Sequence, residues 1–470
     1  MNAILFLDDW MLDSRTNVVR RFIHPARCPQ QLTFADPDPP TISGYMDVVR
    51  DPDENLYKLW YTVNGKQEIA GKNFNTFLCY AESKDGFVWK RPDLGFWKDY
   101  GFEPGLKNAV GFDSYPTVTY KVSRDPFDPD PNRRYKLVAT DVLGPITDNN
   151  IRGILYASPD GQRWTRIKNA CWYNGRMGSD TDNNIIFNPI THRYQIVCRT
   201  SCLDRRVALV ESEDLIRWTE PQTILYPDSM DEPLIQFYSL TPFWHHDYFL
   251  GLMQRQHISS TEQSGGCKWL GKVDDELVYS VNGVHWNRTN RQPFIERSPL
   301  TETPCEQIYT NAVTEAEDGT LRFYSLGYNV EHFAAEPPEN IPWRIEPMVH
   351  TLRPCGFACL EPIGGYGYLA TRFLIPRSPD LRINFLAPNG RVRVQISNSE
   401  HKPFPGFSFA DSVPLVGNEI AARPTWSSGN SLHQFVNEGV RLEFQLFQAQ
   451  LYALDWDFRI QYGDPIIERI

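Results

Sequence analysis

The sequence predicts an all-β fold, a five-bladed β-propeller over residues 1–350 followed by a β-sandwich over 351–470. Three observations carry this expectation. A seven-residue phrase occurs four times, as Ser83-Lys-Asp85-Gly86-Phe-Val-Trp89, Ser158-Pro-Asp160-Gly161-Gln-Arg-Trp164, Ser212-Glu-Asp214-Leu215-Ile-Arg-Trp218 and Ser280-Val-Asn282-Gly283-Val-His-Trp286. An alternating apolar run precedes each copy, and its closing Trp can begin a return strand. Long helical periodicity is absent throughout. Three copies carry Asp-Gly or Asn-Gly, dipeptides that accept positive φ at both centres of a tight two-residue hairpin turn. A hairpin repeated at intervals of 75, 54 and 68 residues marks radial or stacked β architecture, one blade per repeat.

Each repeat has a second phrase upstream of the hairpin, consisting of a strand, a polar turn and another strand. In blade one these are Met46-Asp47-Val-Val and Tyr57-Lys-Leu-Trp60-Tyr61. Blade two has Val118-Thr-Tyr-Lys-Val and Tyr135-Lys-Leu-Val-Ala139. Blade three has Asn184-Ile-Ile-Phe-Asn188 and Tyr194-Gln-Ile-Val-Cys198. Blade four has Phe237-Tyr-Ser-Leu-Thr-Pro242 and Tyr248-Phe-Leu-Gly-Leu252, and blade five Ile308-Tyr-Thr-Asn-Ala-Val313 and Leu321-Arg-Phe-Tyr-Ser325. The fifth blade lacks the hairpin phrase. It is either irregular or completed by strands from elsewhere, with Ile4-Leu-Phe-Leu7 as the candidate. Beyond the loop-like stretch 332–356, short strands resume at 367–375, 381–385, 392–396, 440–446 and 451–455, the spacing of a sandwich.

Composition narrows the function classes. A net charge of −11 without basic stripes argues against nucleic-acid or anionic-membrane partners. No apolar run approaches the ~18 residues of a membrane span, and the N-terminus lacks the features of a signal peptide, so a cytoplasmic protein is expected. Nine cysteines without zinc spacing read as buried thiols. His245-His246-Asp247 lies between two strand runs, where neighbouring side chains point to opposite faces, so no metal site is expected. No cofactor motif occurs, and no Gly-x-Ser-x-Gly elbow supports a serine hydrolase.

Several phrases resemble a known group. They are Leu5-Phe-Leu-Asp8-Asp9, His24-Pro25, Tyr57-Lys-Leu-Trp60-Tyr61, Tyr80-Ala-Glu-Ser83, Ser179-Asp180-Thr-Asp-Asn183, Pro405-Gly-Phe-Ser408 and Leu451-Tyr452. With them the chain resembles the bacterial family 32-like glycosyl hydrolases, within the five-bladed propeller clan of glycoside hydrolase families 32, 43 and 68. The Trp-Met-Asn-Asp-Pro-Asn nucleophile motif of true family 32 enzymes is absent, and Cys305-Glu306 reverses their Glu-Cys order. Arg124-Asp125-Pro126 matches their Arg-Asp-Pro, but falls at the outer end of a strand and takes no role from it. The resemblance implies hydrolysis of a small oligosaccharide or glycoside, a furanoside of fructose or arabinose type. A carbohydrate-binding propeller without catalysis is the alternative, and an interaction protein without a polar funnel is a third reading.

Glycoside hydrolysis needs two carboxyl groups flanking one bond, one protonated and one ionised. The innermost strand of each propeller blade lines the central funnel, which filters the 58 acids by position. Asp47 in blade one, Asp180 and Asp182 in blade three and Glu306 in blade five are the catalytic candidates. Asp9, His24, Trp60, Arg199, Glu232 and Tyr309 are candidates for holding the sugar, where aromatic faces and polar donors serve. Oligomeric state is not legible.

Overall fold

The computed structural model describes residues 3–36, 41–69, 72–102, 104–113, 118–142, 151–174, 179, 182–200, 204–261, 269–301, 303–334 and 342–461. Two compact units account for the chain. The larger comprises 25–244 and 248–351, and the smaller 1–24, 245–247 and 352–470.

Among the described residues, the larger unit groups into five antiparallel blades, whose strands follow one another outward in chain order. Blade one runs Ile42–Asp51, Leu56–Ile69 and Lys72–Ser83, with Lys90 bridging the outer edge at Glu82. Blade two runs Val118–Arg124, Tyr135–Val142, Ile151–Ser158 and Arg163–Asn174, and blade three Asn184–Asn188, Arg193–Arg199, Val207–Ser212 and Gln222–Leu225. Blade four is built from Gln236–His245, Tyr248–Ser260, Leu270–Ser280 and Asn287–Arg288. Blade five uses Gln307–Glu315, Leu321–Tyr328 and Ile345–Leu352.

The fourth strand of blade five comes from the other end of the unit. Ala26–Arg27 pairs with Ile345–Leu352, placing Ala26 opposite Thr351 and Arg27 opposite His350, so the chain start closes the ring. The expectation that Ile4-Leu-Phe-Leu7 performs this closure is corrected, because Ala3–Ile4 pairs with Gln450–Asp455 in the smaller unit.

The repeated phrase makes a tighter device than a two-residue hairpin. Only its fourth residue is left-handed: Gly86 at φ 76°, Gly161 at 81°, Leu215 at 65° and Gly283 at 75°. The Ser hydroxyl accepts from the backbone N–H three residues on, at 2.9 Å for Ser83 and 2.8 Å for Ser158. The Asp or Asn side chain accepts from the next two amides, as Asp85 does from Phe87 and Val88, both at 2.9 Å. Side-chain capping of this kind replaces the turn geometry that Asp-Gly alone suggests.

Each capped turn locks onto the preceding blade. Tyr324 Oη of blade five donates to the Gly86 carbonyl at 3.3 Å, and Trp60 Nε1 of blade one donates to the Gly161 carbonyl at 2.6 Å. Asn188 Nδ2 of blade three donates to the Asn282 carbonyl at 2.8 Å. In the copy without glycine, Leu215 is buried with Val138 and Leu155 of blade two. Apolar clusters fill the seams between neighbouring blades, as Trp60, Leu78 and Tyr80 do against Tyr120, Tyr135 and Tyr156.

The smaller unit is a β-sandwich. Its sheet runs Leu12–Thr16, Tyr366–Thr371, Arg441–Phe447, Arg382–Ser397, Gln450–Asp455, Ala358–Pro362 and Val18–Phe22. The runs expected as separate strands at 381–385 and 392–396 form one strand, Arg382–Ser397. Its first half pairs with Gln450–Asp455 and its second with Arg441–Phe447. Gly390 permits this passage, because a Cβ there would strike the Phe447 and Gln448 carbonyls. Ile4, Phe6, Ile383, Val394, Phe444 and Trp456 lie in one apolar core.

Candidate functional site

The innermost strands of the five blades bring unlike side chains to the propeller axis. Asp47 comes from blade one, Lys121 from blade two, Asp182 from the entry to blade three, Thr241 from blade four and Asn311 from blade five. All five are at most 4% exposed. Lys121 Nζ lies 2.5 Å from Asp47 Oδ1 and 3.9 Å from Asp182 Oδ2, so one ammonium serves two carboxylates. It also donates to the Asn311 carbonyl at 3.0 Å. Asn311 Nδ2 donates to Asp182 Oδ2 at 2.8 Å, and the Val122 amide donates to Asp47 Oδ2 at 2.9 Å. The loop carrying Asp182 is held by Ser239 Oγ, which donates to the Asp182 carbonyl at 2.9 Å, and by the Ser179–Asn183 pair at 2.5 Å.

Burial dominates the electrostatics. It lifts the Asp47 carboxyl to about 6 against the opposing pull of Lys121, with the nearby Asp182 adding to the rise. Lys121 is penalised by burial, but its two carboxylate neighbours win and raise it above the ordinary lysine value. Deeper in blade four, burial lifts Asp275 to about 7, although its Oδ2 accepts from the Thr310 amide at 3.0 Å.

Two cavities lie along the axis. The first, of about 370 Å³, is lined by Tyr45, Asp182, Tyr238, Gln307, Tyr309, Asn311, Tyr328 and His332, with Phe333 and Trp343 at its wall. The second, of about 490 Å³, is bordered by Asp47, Val122, Asn184, Thr241 and Asn311, one residue from each innermost strand. Residue numbers advance from the first cavity to the second along the innermost strands of blades one, four and five. The Asp47–Lys121–Asp182–Asn311 layer therefore sits where they meet.

In the first cavity the aromatic rings are fixed edge to face. Tyr238 lies 5.6 Å from Tyr309 and 4.9 Å from His332, and the Arg199 guanidinium stands 4.9 Å from the Tyr238 ring. Tyr309 Oη donates to Gln307 Oε1 at 2.6 Å. Asp182 Oδ1 is buried and has no hydrogen-bond partner among the described residues.

The remaining candidates lie elsewhere. Asp180 is outside the described residues. Glu306 lines neither cavity and pairs with Lys272 at 2.8 Å. Glu232 is exposed and meets His257 at 3.1 Å. Trp60 is fully buried in the seam between blades one and two, and Arg199 lies behind Tyr238 at 2% exposure. Asp9 and His24 belong to the smaller unit, where Asp9 pairs with Arg15 at 3.1 Å and with Arg20. Asp125 follows the strand Val118–Arg124, borders the second cavity and pairs with buried Lys136 at 2.9 Å.

Lys121, Asn311, Tyr238 and Gln307 were not singled out by sequence reasoning, which searched for acids. Lys121 carried no signal of its own, since in Val118-Thr-Tyr-Lys-Val it alternates with the apolar face as a solvated lysine would, and only the fold shows it 2% exposed.

No protein-family model matches the chain, and no curated protein matches it. It is similar to the crystal structure of a thermostable family-43 glycoside hydrolase, at 13% identity over 68% of this chain and 92% of that one, TM-score 0.43. It is also similar to an endo-arabinase from Bacteroides thetaiotaomicron, at 11% identity over 66% and 94% of the two chains, TM-score 0.40. A third is a fructofuranosidase variant from Schwanniomyces occidentalis complexed with fructosylnystose, at 10% identity over 94% and 98%, TM-score 0.40.

Proposed function

We propose that this protein is a glycoside hydrolase that takes a small saccharide into the aromatic cavity at the propeller axis. The observation that supports this best is Asp182, whose Oδ1 is buried beside that cavity with no hydrogen-bond partner among the described residues. A buried carboxylate oxygen left this way is costly unless a ligand or water completes it. Tyrosine rings with polar edges suit a sugar, which has apolar C–H faces and a polar rim.

Asp182 is the carboxylate that meets the sugar. Asp47 is the second carboxyl, and burial keeps it protonated up to about pH 6. Environments that push two carboxyl groups apart are what an acid/base pair requires. Lys121 positions both. The substrate class is a furanoside of fructose or arabinose type.

A second reading, saccharide binding without hydrolysis, is favoured by one observation. Asp47 is tied to Lys121 at 2.5 Å and borders the other cavity, so a sugar beside Asp182 need not touch it. A release assay over nitrophenyl furanosides and pyranosides with fructo- and arabino-oligosaccharides separates the two. Turnover that falls about 10²-fold in Asp182→Asn and in Asp47→Asn supports the hydrolase, given the usual size of acid/base catalysis. Tight saccharide binding without turnover selects the binding propeller. Turnover unchanged in both variants overturns this site.

A further inference from the structure

We propose that His245, His246 and Cys355 bind one zinc-class divalent ion through two imidazole nitrogens and a thiolate, leaving one coordination position for water. The three residues share the smaller unit. Cys355 Sγ lies 3.4 Å from His245 Nε2 and 3.1 Å from His246 Nε2, and one ligand atom from each residue falls within 4.8 Å of the others. A tetrahedron with metal–nitrogen and metal–sulfur bonds of about 2.0 and 2.3 Å has a sulfur–nitrogen edge of about 3.5 Å, close to the two sulfur–nitrogen separations found here. Thiolate with imidazole is a soft donor set that selects zinc-like ions over calcium or magnesium.

The strand-alternation argument against these histidines fails for a local reason. His245 is the last residue of its strand, and His246 turns into the left-handed region at φ 51°. Both imidazoles thereby reach the same sulfur. Cys355 is also left-handed at φ 51°, an uncommon conformation for a residue other than glycine. His245 is buried, whereas His246 and Cys355 are half-buried, so an ion can enter from solvent. Thiol–imidazole hydrogen bonding alone would use the same atoms, and the experiment must separate the two. On binding, the Cys355 thiol loses its proton to solvent and its sulfur lone pair forms the bond to the metal.

The test uses reduced, chelator-treated full-length protein titrated with Co²⁺ and with Zn²⁺. One equivalent of cobalt is expected to give thiolate-to-cobalt charge-transfer absorption that zinc displaces. Cys355→Ser should abolish that band, and His246→Asn should weaken zinc binding by more than the roughly 10–100-fold typical of outer-shell changes. To keep the test independent of any unfolding of the turn by either substitution, zinc protection of Cys355 against alkylation is mapped by mass spectrometry on the wild type. Protection confined to Cys355 supports the site. Absence of the cobalt band, its persistence in Cys355→Ser, or alkylation of Cys355 at an unchanged rate overturns it.

Discussion

Around the rim of the propeller, one phrase is used four times to fasten blade to blade, whereas along the axis the five blades contribute four kinds of residue in no repeating phrase. The rim turns carry the same capped backbone and the same left-handed fourth position. At the axis, Asp47, Lys121, Asp182, Thr241 and Asn311 are all buried, and only the aspartate of blades one and three recurs. Repetition at the rim follows from geometry, because each seam poses the same packing problem. Variety at the axis is what the proposed site calls for, because such a site needs an acid, a base and donors in distinct places.

Substitutions at the two places should therefore fail in different ways. Asp182→Asn is expected to lower turnover about 10²-fold with little change in unfolding midpoint. Gly161→Val should do the reverse. A β-branched residue at φ 81° is strained, and its Cβ would strike the Trp60 ring, so a stability loss on the order of 3 kcal/mol is expected. Denaturant melts beside turnover per folded molecule check both, and a Gly161→Val protein of wild-type stability would break the comparison.

This division also explains what the sequence made legible. The rim phrase could be read because Ser, Asp, Gly and Trp recur at fixed offsets, and the blades followed from it. Its turn type could not, since Ser83 and Asp85 hydrogen bonds decide it rather than the Asp-Gly pair. The closing strand was missed because Ala26–Arg27 is two residues long and carries no pattern of its own. Asp47 and Asp182 could be placed near the axis because the first lies on an innermost strand and the second lies two residues before one. Lys121 and Asn311 were not singled out, because their partners lie in other blades, and the His245–His246–Cys355 cluster joins residues more than a hundred positions apart.

Leu215 offers a finer test within the rim. It occupies the left-handed position that its three counterparts give to glycine. Leu215→Gly would relieve about 1 kcal/mol of backbone strain but forfeit a side chain only 1% exposed, worth about 2–4 kcal/mol. Burial wins, so a net loss of about 2 kcal/mol is expected in the unfolding free energy. A stabilised variant would show that the strain, not the seam, dominates there.

The interior carboxyl groups predict a pH dependence with a definite sign. Asp47 and Asp275 have folded-state values raised to about 6 and about 7, so the native state holds their protons more tightly than the unfolded chain. Their contribution is full below the ordinary value of 3.8 and is lost as pH rises through 6 and 7. Each group tilts stability by at most about 1.4 kcal/mol per pH unit within its window. Asp275→Asn should flatten the upper part of the fall, in urea midpoints measured from about pH 4 to pH 8. An unchanged slope would place the titration on another group.

The smallest effect is expected at Glu306, and it sharpens the boundary of the axis. Glu306 immediately precedes the innermost strand of blade five, whose next residue, Gln307, lines the aromatic cavity. One position along the chain turns its carboxylate away toward Lys272, which is 43% exposed. An exposed ion pair of this kind is worth about 0–1 kcal/mol, so Glu306→Gln should leave stability nearly unchanged. Turnover should also stay within about threefold of wild type, because the group has no contact with the cavity through which acid/base chemistry could act. A drop approaching that of Asp182→Asn would instead place Glu306 among the reacting carboxyl groups. It would require the start of blade five to rearrange when substrate binds, and the axis would then extend to the strand entries.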